Sequence, residues 1–232
     1  MQPKMLYVHY CDEPNTFWWN RAKQDREINM TLIKSRRIES IFNKPVDHHS
    51  HRGDIIRIEV LLKYGGIYLD SDVLILRSFD PLLNLGDVIM ANQDNDQHTA
   101  CNAVIISRKN SVFLKRLHDA YQSFNQKLWD YHSVRLPGIL AHIYSDEIKL
   151  LPTDTFFSPG NKSRKDFLMT TNYNFSNNYA SHLWNKVQRN ALNNLTAQSI
   201  LNGSFLLAQM LKKALGNETV IELGKIPPHP FT

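Results

Sequence analysis

Between His51 and Asp72 the chain passes from a helical apolar pattern, through a glycine pair, into an apolar stretch ending in two carboxylates. This order constrains the fold more than any other feature. His51-Arg52-Gly53-Asp54-Ile55-Ile56-Arg57-Ile58-Glu59-Val60-Leu61-Leu62-Lys63-Tyr64 reads as a helix that is apolar on most sides and hence buried, with Gly65-Gly66 as its stop. Glycine lacks Cβ and tolerates φ > 0, so the pair lets the backbone turn tightly or lets a ligand come close. Residues 67–76 then read as a strand, on which Asp70 and Asp72 point to one face. Two carboxylates aimed at one point suit a hard divalent cation, since magnesium or manganese is typically held by one or two carboxylates plus phosphate oxygens. The implied chemistry is metal-bridged handling of a diphosphate.

A lone Asp-x-Asp is common in solvated turns, so its context matters. Asp54 and Arg57, spaced i, i+3, share one face of the buried helix, and that face meets the start of the acidic strand. Two readings of this pair stand side by side: an intrahelical ion pair, or two groups that hold a ligand.

Across its 232 residues the chain alternates strand-like and helix-like segments. Strands are expected at 5–10, 30–33, 67–76, 87–91 and 103–107. Helices are expected at 14–24, 51–64, 112–124, 134–144 and 199–215. Leu136-Pro137 falls in a first helical turn, where a missing N–H is tolerated. Such alternation argues for an α/β fold with a mostly parallel central sheet flanked by helices and ligands at the carboxyl ends of the strands. The length suits one catalytic domain, expected over 1–224, followed by a loose C-terminal tail at 225–232. No internal repeat is visible.

Hydrophobic content of 42% and charged content of 21% are those of an ordinary globular protein. The net charge of +5 is spread without a long run, and no motif points to nucleic acid. Cys11 and Cys101 imply no disulfide framework; one bridge between them and two free thiols both remain open. Asn29, Asn161, Asn174, Asn194, Asn202 and Asn217 each begin an Asn-x-Ser/Thr sequon, which leans towards a secretory-pathway lumen. No run of eighteen apolar residues and no signal-like segment is present, so a cytoplasmic location also stays open.

Asp54-x-x-Arg57 with Tyr64-Gly65-Gly66-Ile67-Tyr68-Leu69-Asp70-Ser71-Asp72 closely resembles the signature of the DXD sugar-transferase family. That family includes α1,4-galactosyl-, α1,4-N-acetylglucosaminyl- and initiating α-mannosyltransferases. The resemblance continues through Cys101-Asn102-Ala103-Val104-Ile105-Ile106, Trp129-Asp130-Tyr131-His132-Ser133, Leu150-Leu151-Pro152 and Tyr179-Ala180-Ser181-His182-Leu183-Trp184, covering about residues 5 to 190. It implies a GT-A-type nucleotide-sugar fold. Within it, residues 5–10 correspond to the family's second strand, so the chain would lack the opening strand and be a fragment, a shortened product or a divergent version. Membrane association would then come only through an N-terminal anchor missing from this chain.

The resemblance also implies roles. Asp72 would coordinate Mn²⁺ or Mg²⁺, with Asp70 reaching the donor and the metal, and His182 completing the metal sphere or touching the diphosphate. Asp54, Arg57 and Asn102 would hold the donor sugar. Tyr68 would stack or hydrogen-bond beside the carboxylates, although it is equally an ordinary core tyrosine, and Trp184 would wall the donor site, although an aromatic there is more often core. Tyr131, His132 and Ser133 would face the acceptor. His48, His49 and His51 show no zinc-like pairing. The implied reaction is metal-dependent, retaining transfer of a hexose or N-acetylhexosamine to a glycan or glycolipid hydroxyl. A UDP-sugar is the favoured donor and a GDP-sugar the other. Two rivals remain: a phosphohydrolase of the haloacid-dehalogenase type, which also follows a hydrophobic strand with Asp-x-Asp, and a catalytically silent domain that binds glycans or a partner.

Overall fold

The computed structural model describes residues 5–10, 12–26, 29–94, 96, 98–159 and 173–226, and for 190 and 191 the backbone alone. Helix α2 (His49–Tyr64) behaves as its sequence demands. His51, Asp54, Ile55, Arg57, Ile58 and Leu61 are its buried residues, so one helical stripe carries two charges into the interior. The helix stops at Gly65, whose φ of 68° is open to glycine and whose N–H donates to the Leu61 carbonyl at 2.8 Å. A Cβ there would lie 2.6 Å from the Lys109 backbone nitrogen.

Strand β5 (Gly66–Leu69) follows at once and pairs antiparallel with β8 (Cys101–Ser107). On the other side β8 pairs antiparallel with β7 (Val88–Ala91), which in turn pairs parallel with β9 (Lys149–Leu151). The four-stranded sheet, ordered β5-β8-β7-β9, is therefore mixed, which corrects the expectation of a mostly parallel one. The reason is local: β7 and β8 are joined by residues 92–100, among whose described residues there is no helix, and a short connection returns the chain antiparallel. Strand–helix–strand alternation does give a parallel pair at β1 (Leu6–Tyr10), α1 (Phe17–Gln24) and β2 (Met30–Lys34), which form a separate two-stranded sheet.

Both faces of the four-stranded sheet are covered, which explains the unbroken apolar runs of β7 and β8. Val88, Met90 and Ile105 face a cluster with Ile55, Ile58 and Leu61 of α2, with Phe113, Leu114 and Leu117 of α3 (Val112–Ala120), and with Leu136 and Ala141 of α4 (Leu136–Ile143). Ile89, Val104 and Ile106 face Phe79, Phe156 and Phe157. A hairpin not evident in the sequence, β3 (Ser40–Ile41) with β4 (Lys44–Pro45), turns through Phe42 and Asn43, both at positive φ.

The single strand expected at 67–76 is two strands. β5 ends at Leu69, Asp70-Ser71-Asp72 forms a turn closed by the Val73 N–H on the Asp70 carbonyl at 3.1 Å, and β6 (Val73–Ile75) leaves to pair antiparallel with β10 (Ala180–His182). Asp and Ser favour such turns because their side chains can satisfy local backbone groups. The C-terminal helix expected at 199–215 is likewise two, α6 (Ala197–Asn202) and α7 (Leu206–Leu215). Between them Gly203 is extended and packs so tightly that a Cβ would meet the Phe205 ring and the Ser199 carbonyl at 2.4 Å. Two further helices, α5 (Asn185–Asn193) and α8 (Asn217–Gly224), were not evident in the sequence. Among the described residues no helix is long and apolar enough to cross a membrane. Cys101 is buried and reduced, whereas Cys11, Asn161 and residues 227–232 of the expected tail lie outside the described residues.

Candidate active site

The carboxyl end of β5 and the start of β8 lie side by side, tied by the Asp70 N–H on the Ala103 carbonyl at 2.9 Å. Into this corner α2 projects Asp54 and Arg57, both 6% exposed. The Arg57 Nη1 donates to the Asn102 carbonyl at 2.7 Å and to Asn102 Oδ1 at 2.8 Å, and Nε donates to the Gly53 carbonyl at 3.2 Å. Asn102 completes the link by donating from Nδ2 to Asp54 Oδ1 at 2.9 Å. The guanidinium also pairs with Asp70 Oδ1 at 3.1 Å and Asp54 Oδ1 at 3.4 Å. Tyr68 lies with its ring 4.6 Å from that guanidinium and donates its hydroxyl to Asp70 Oδ1 at 2.7 Å.

The two sequence readings of Asp54 and Arg57 thus merge. The intrahelical pair exists, but Arg57 sits closer to Asp70 and so braces the acidic turn from below. Burial works against the charge on Arg57, but Tyr68, Asp70 and Asp54 more than offset it and hold the guanidinium protonated. Burial and the adjacent Asp70 raise the Tyr68 hydroxyl pKa, so it stays a donor. The buried Cys101 thiol, pushed up to about 12, is inert at neutral pH.

Asp70 and Asp72 converge through the turn rather than through strand alternation. His182 joins them because the β6–β10 register sets it opposite Val73, next to Asp72. Its Nε2 stands 3.1 Å from Asp72 Oδ1, and one ligand atom from each of Asp70, Asp72 and His182 lies within 4.8 Å of the others. Asp72 Oδ2 accepts the Asn185 backbone N–H at 2.8 Å. Burial pushes the Asp72 carboxyl up, but His182 and that N–H outweigh it and hold the pKa below its usual value, so the group is anionic at neutral pH. Adjacent ligands on an octahedral ion with bonds of about 2.1 Å are separated by about 3.0 Å, a spacing that the His182–Asp72 pair matches.

Trp184 caps α5 in the left-handed region, at φ 52° and ψ 47°, a sparsely populated conformation for a tryptophan. That bend aims the Asn185 N–H at Asp72. The Trp184 ring lies 4.1 Å from that of His182 at a tilt of 46°, and among the described residues its buried Nε1 and the buried His182 Nδ1 have no hydrogen-bond partner. The Asn185 N–H left no signal in the sequence, because a backbone group carries it.

Tyr131, His132 and Ser133 lie on a π-helical turn, Tyr131–Arg135, that leads into α4. Tyr131 and Ser133 are half-buried, whereas His132 is 1% exposed among Tyr121, Phe124 and Tyr131. In this structure His132 is a packed ring. Among the described residues neither of its nitrogens makes a well-formed hydrogen bond, and burial, only partly opposed by the Ser123 backbone, lowers its pKa. Among the three histidines that begin α2, His51 pairs with Asp54 at 3.5 Å. Its i, i+3 spacing from Asp54 was the available sequence signal.

Residues 4–87 match the family model described as glycosyltransferase sugar-binding region containing DXD motif. The chain is 32% identical over 228 residues to Glucan organizing enzyme 1 of Cryptococcus neoformans var. grubii, an alignment covering 93% of this chain and 61% of that protein. It is 25% identical over 222 residues to Lactosylceramide 4-alpha-galactosyltransferase of Mus musculus, covering 87% and 54%. The chain therefore spans between about half and three-fifths of these curated relatives. No solved structure matches it. Asp54, Arg57, Tyr68, Asp70 and Asp72 fall inside the matched segment, while Asn102, His182 and Trp184 fall beyond it.

Proposed function

We propose, from the premise that residues 4–87 carry the DXD-containing sugar-binding region of the glycosyltransferases, that this chain is a metal-dependent, retaining glycosyltransferase. It moves a hexose or N-acetylhexosamine from a nucleoside-diphosphate sugar, a UDP-sugar before a GDP-sugar, to a glycan or glycolipid hydroxyl. The observation that carries this reading is the convergence of Asp70, Asp72 and His182, whose ligand atoms lie within 4.8 Å of one another. Those three residues would hold Mn²⁺ or Mg²⁺, which neutralises charge on the departing diphosphate as a Lewis acid.

The remaining work falls to the chain's own groups. Asp54, Arg57 and Asn102 form one rigid hydrogen-bonded unit beside Asp70 and present donors and acceptors to the hydroxyls of the donor sugar. Tyr68 and Arg57 both engage Asp70 through Oδ1, and so fix the orientation of its carboxylate. Trp184 walls the site, its ring against His182. As the bond from the anomeric carbon to the phosphate oxygen breaks, its electron pair leaves with the phosphate. The acceptor oxygen bonds the same face, and the acceptor proton passes to that phosphate. Asp54, Asp70 and Asp72 are each held by neighbouring donors, which favours this front-face route over a covalent carboxylate intermediate. Tyr131 and Ser133 border the acceptor side.

A secretory-pathway lumen is the proposed location, supported by the exposure of the sequon asparagines Asn29, Asn174, Asn194, Asn202 and Asn217. The test is release of nucleoside diphosphate from a panel of UDP- and GDP-sugars with Mn²⁺, in wild type and Asp72→Ala. Turnover by wild type, falling about 10²-fold or more in the variant, is expected. Equal turnover, or none by wild type with any donor, overturns the proposal.

A further inference from the structure

Trp129 is 48% exposed, which by itself is ordinary for a surface aromatic. Its setting is not. The Lys186 ammonium lies 3.7 Å from the ring centroid, the His48 ring meets it edge-on at 4.8 Å and 83°, and the buried His51 ring packs at 5.5 Å. Groups from two segments distant in sequence thus fix an indole that stays half open to solvent.

Each of its neighbours leads to the site. Lys186 follows Asn185, whose N–H holds Asp72 at 2.8 Å. His51 pairs with Asp54 at 3.5 Å. Trp129 itself lies two residues before the π-helical turn whose Val134 carbonyl accepts the Ala100 N–H at 2.9 Å, just ahead of Asn102 on β8. The exposed His49 ring stands 4.3 Å from that of His48. The indole is therefore fixed with Lys186 over one face and the His48 ring at its edge, and is tied through Asn185 and His51 to Asp72 and Asp54.

We infer that Trp129 is a stacking platform for a pyranose ring of the acceptor saccharide, taken on the face that Lys186 does not cover, with His48 and His49 hydrogen-bonding its hydroxyls. A pyranose offers a face of C–H groups whose partial positive charge meets the negative face of the indole. Its equatorial hydroxyls reach outward, where imidazoles can bond them. Burial, then the positive charge of its neighbours, keeps His48 neutral at neutral pH, which suits hydroxyls better than a carboxylate. Since the inference rests on the acceptor being a glycan, its test is separated from donor binding.

Lactose, maltotetraose and laminaritetraose serve as probes, with saturation-transfer NMR reading the ring protons that touch protein. Wild type, Trp18→Ala, Trp129→Phe and Trp129→Ala are compared at matched melting temperature. Wild type and Trp18→Ala are expected to bind at least one probe equally, Trp129→Ala at least tenfold more weakly, and Trp129→Phe in between. Binding of no probe by wild type, or equal binding by Trp129→Ala, overturns the platform. Stabilisation of wild type by UDP or GDP with Mn²⁺ is read on the same samples. Its absence overturns the glycosyltransferase reading but leaves the saccharide result intact.

Discussion

Replacing Arg57 by methionine isolates what the buried polar unit contributes. Methionine nearly matches the length of the arginine stem and keeps its apolar contacts, so the loss is that of the guanidinium. In the structure this group is 7% exposed and bonds the Asn102 carbonyl and Oδ1, the Gly53 carbonyl, and the carboxylates of Asp54 and Asp70. Removing it leaves Asp54, itself buried, without its arginine, and strands two acceptors of Asn102. Breaking a buried pair by deleting one partner costs about 3–5 kcal/mol. In a chain of this size that corresponds to a fall in Tm of roughly 6–20 °C. Arg57→Lys keeps the charge but not the fork, so it should fall between, losing about 1.5–3 kcal/mol for a charge-assisted hydrogen bond. Thermal and urea unfolding of the three proteins provide the assay. An Arg57→Met protein melting within about 2 °C of wild type would refute the reasoning, because the guanidinium would then stabilise nothing.

His132→Phe should flatten the acid side of the stability curve. The folded state holds the His132 pKa below its ordinary 6.5, so this group's contribution is fully present above that value and is lost as pH falls through and below it. His51 is shifted the other way, chiefly by its hydrogen bond to Asp54, so its contribution is present below 6.5 and lost as pH rises through its folded value. The difference between wild type and variant in urea midpoint from pH 7 to pH 5 reads His132 alone, and an unchanged slope would contradict its burial. Gly65→Ala should cost at least about 1–3 kcal/mol, since φ is 68° and the new Cβ meets Lys109; unfolding indistinguishable from wild type would show the α2–β5 corner to be looser than described.

Helix α2, its glycine stop and the face shared by Asp54 and Arg57 were readable because they depend on spacings of three or four residues within one helix. The meeting of Tyr68 with Asp70 was readable for a similar reason, although the strand ends before Asp70 and a turn completes the approach. What joins His182 to Asp72 was not readable from periodicity. The β6–β10 register brings together residues far apart in sequence, and only the resemblance in Tyr179-Ala180-Ser181-His182-Leu183-Trp184 had pointed there. The mixed sheet was missed because alternation cannot distinguish a crossover from a short return such as 92–100. The break at Gly203 was missed because helical periodicity continues across it, while the clash that forbids a side chain there comes from Phe205 and Ser199 packing back.

Asp70, Asp72 and His182 are expected to bind a divalent ion and, with it, a nucleoside diphosphate. The most direct test is titration calorimetry and thermal unfolding with UDP and with GDP, each with and without Mn²⁺, on wild type and Asp72→Ala. Wild type is expected to bind one nucleotide only when Mn²⁺ is present, gaining about 2.7 kcal/mol of stability at 100 times the dissociation constant, and Asp72→Ala to lose this. Nucleotide binding that ignores both Mn²⁺ and Asp72, or its absence from wild type, would contradict this role.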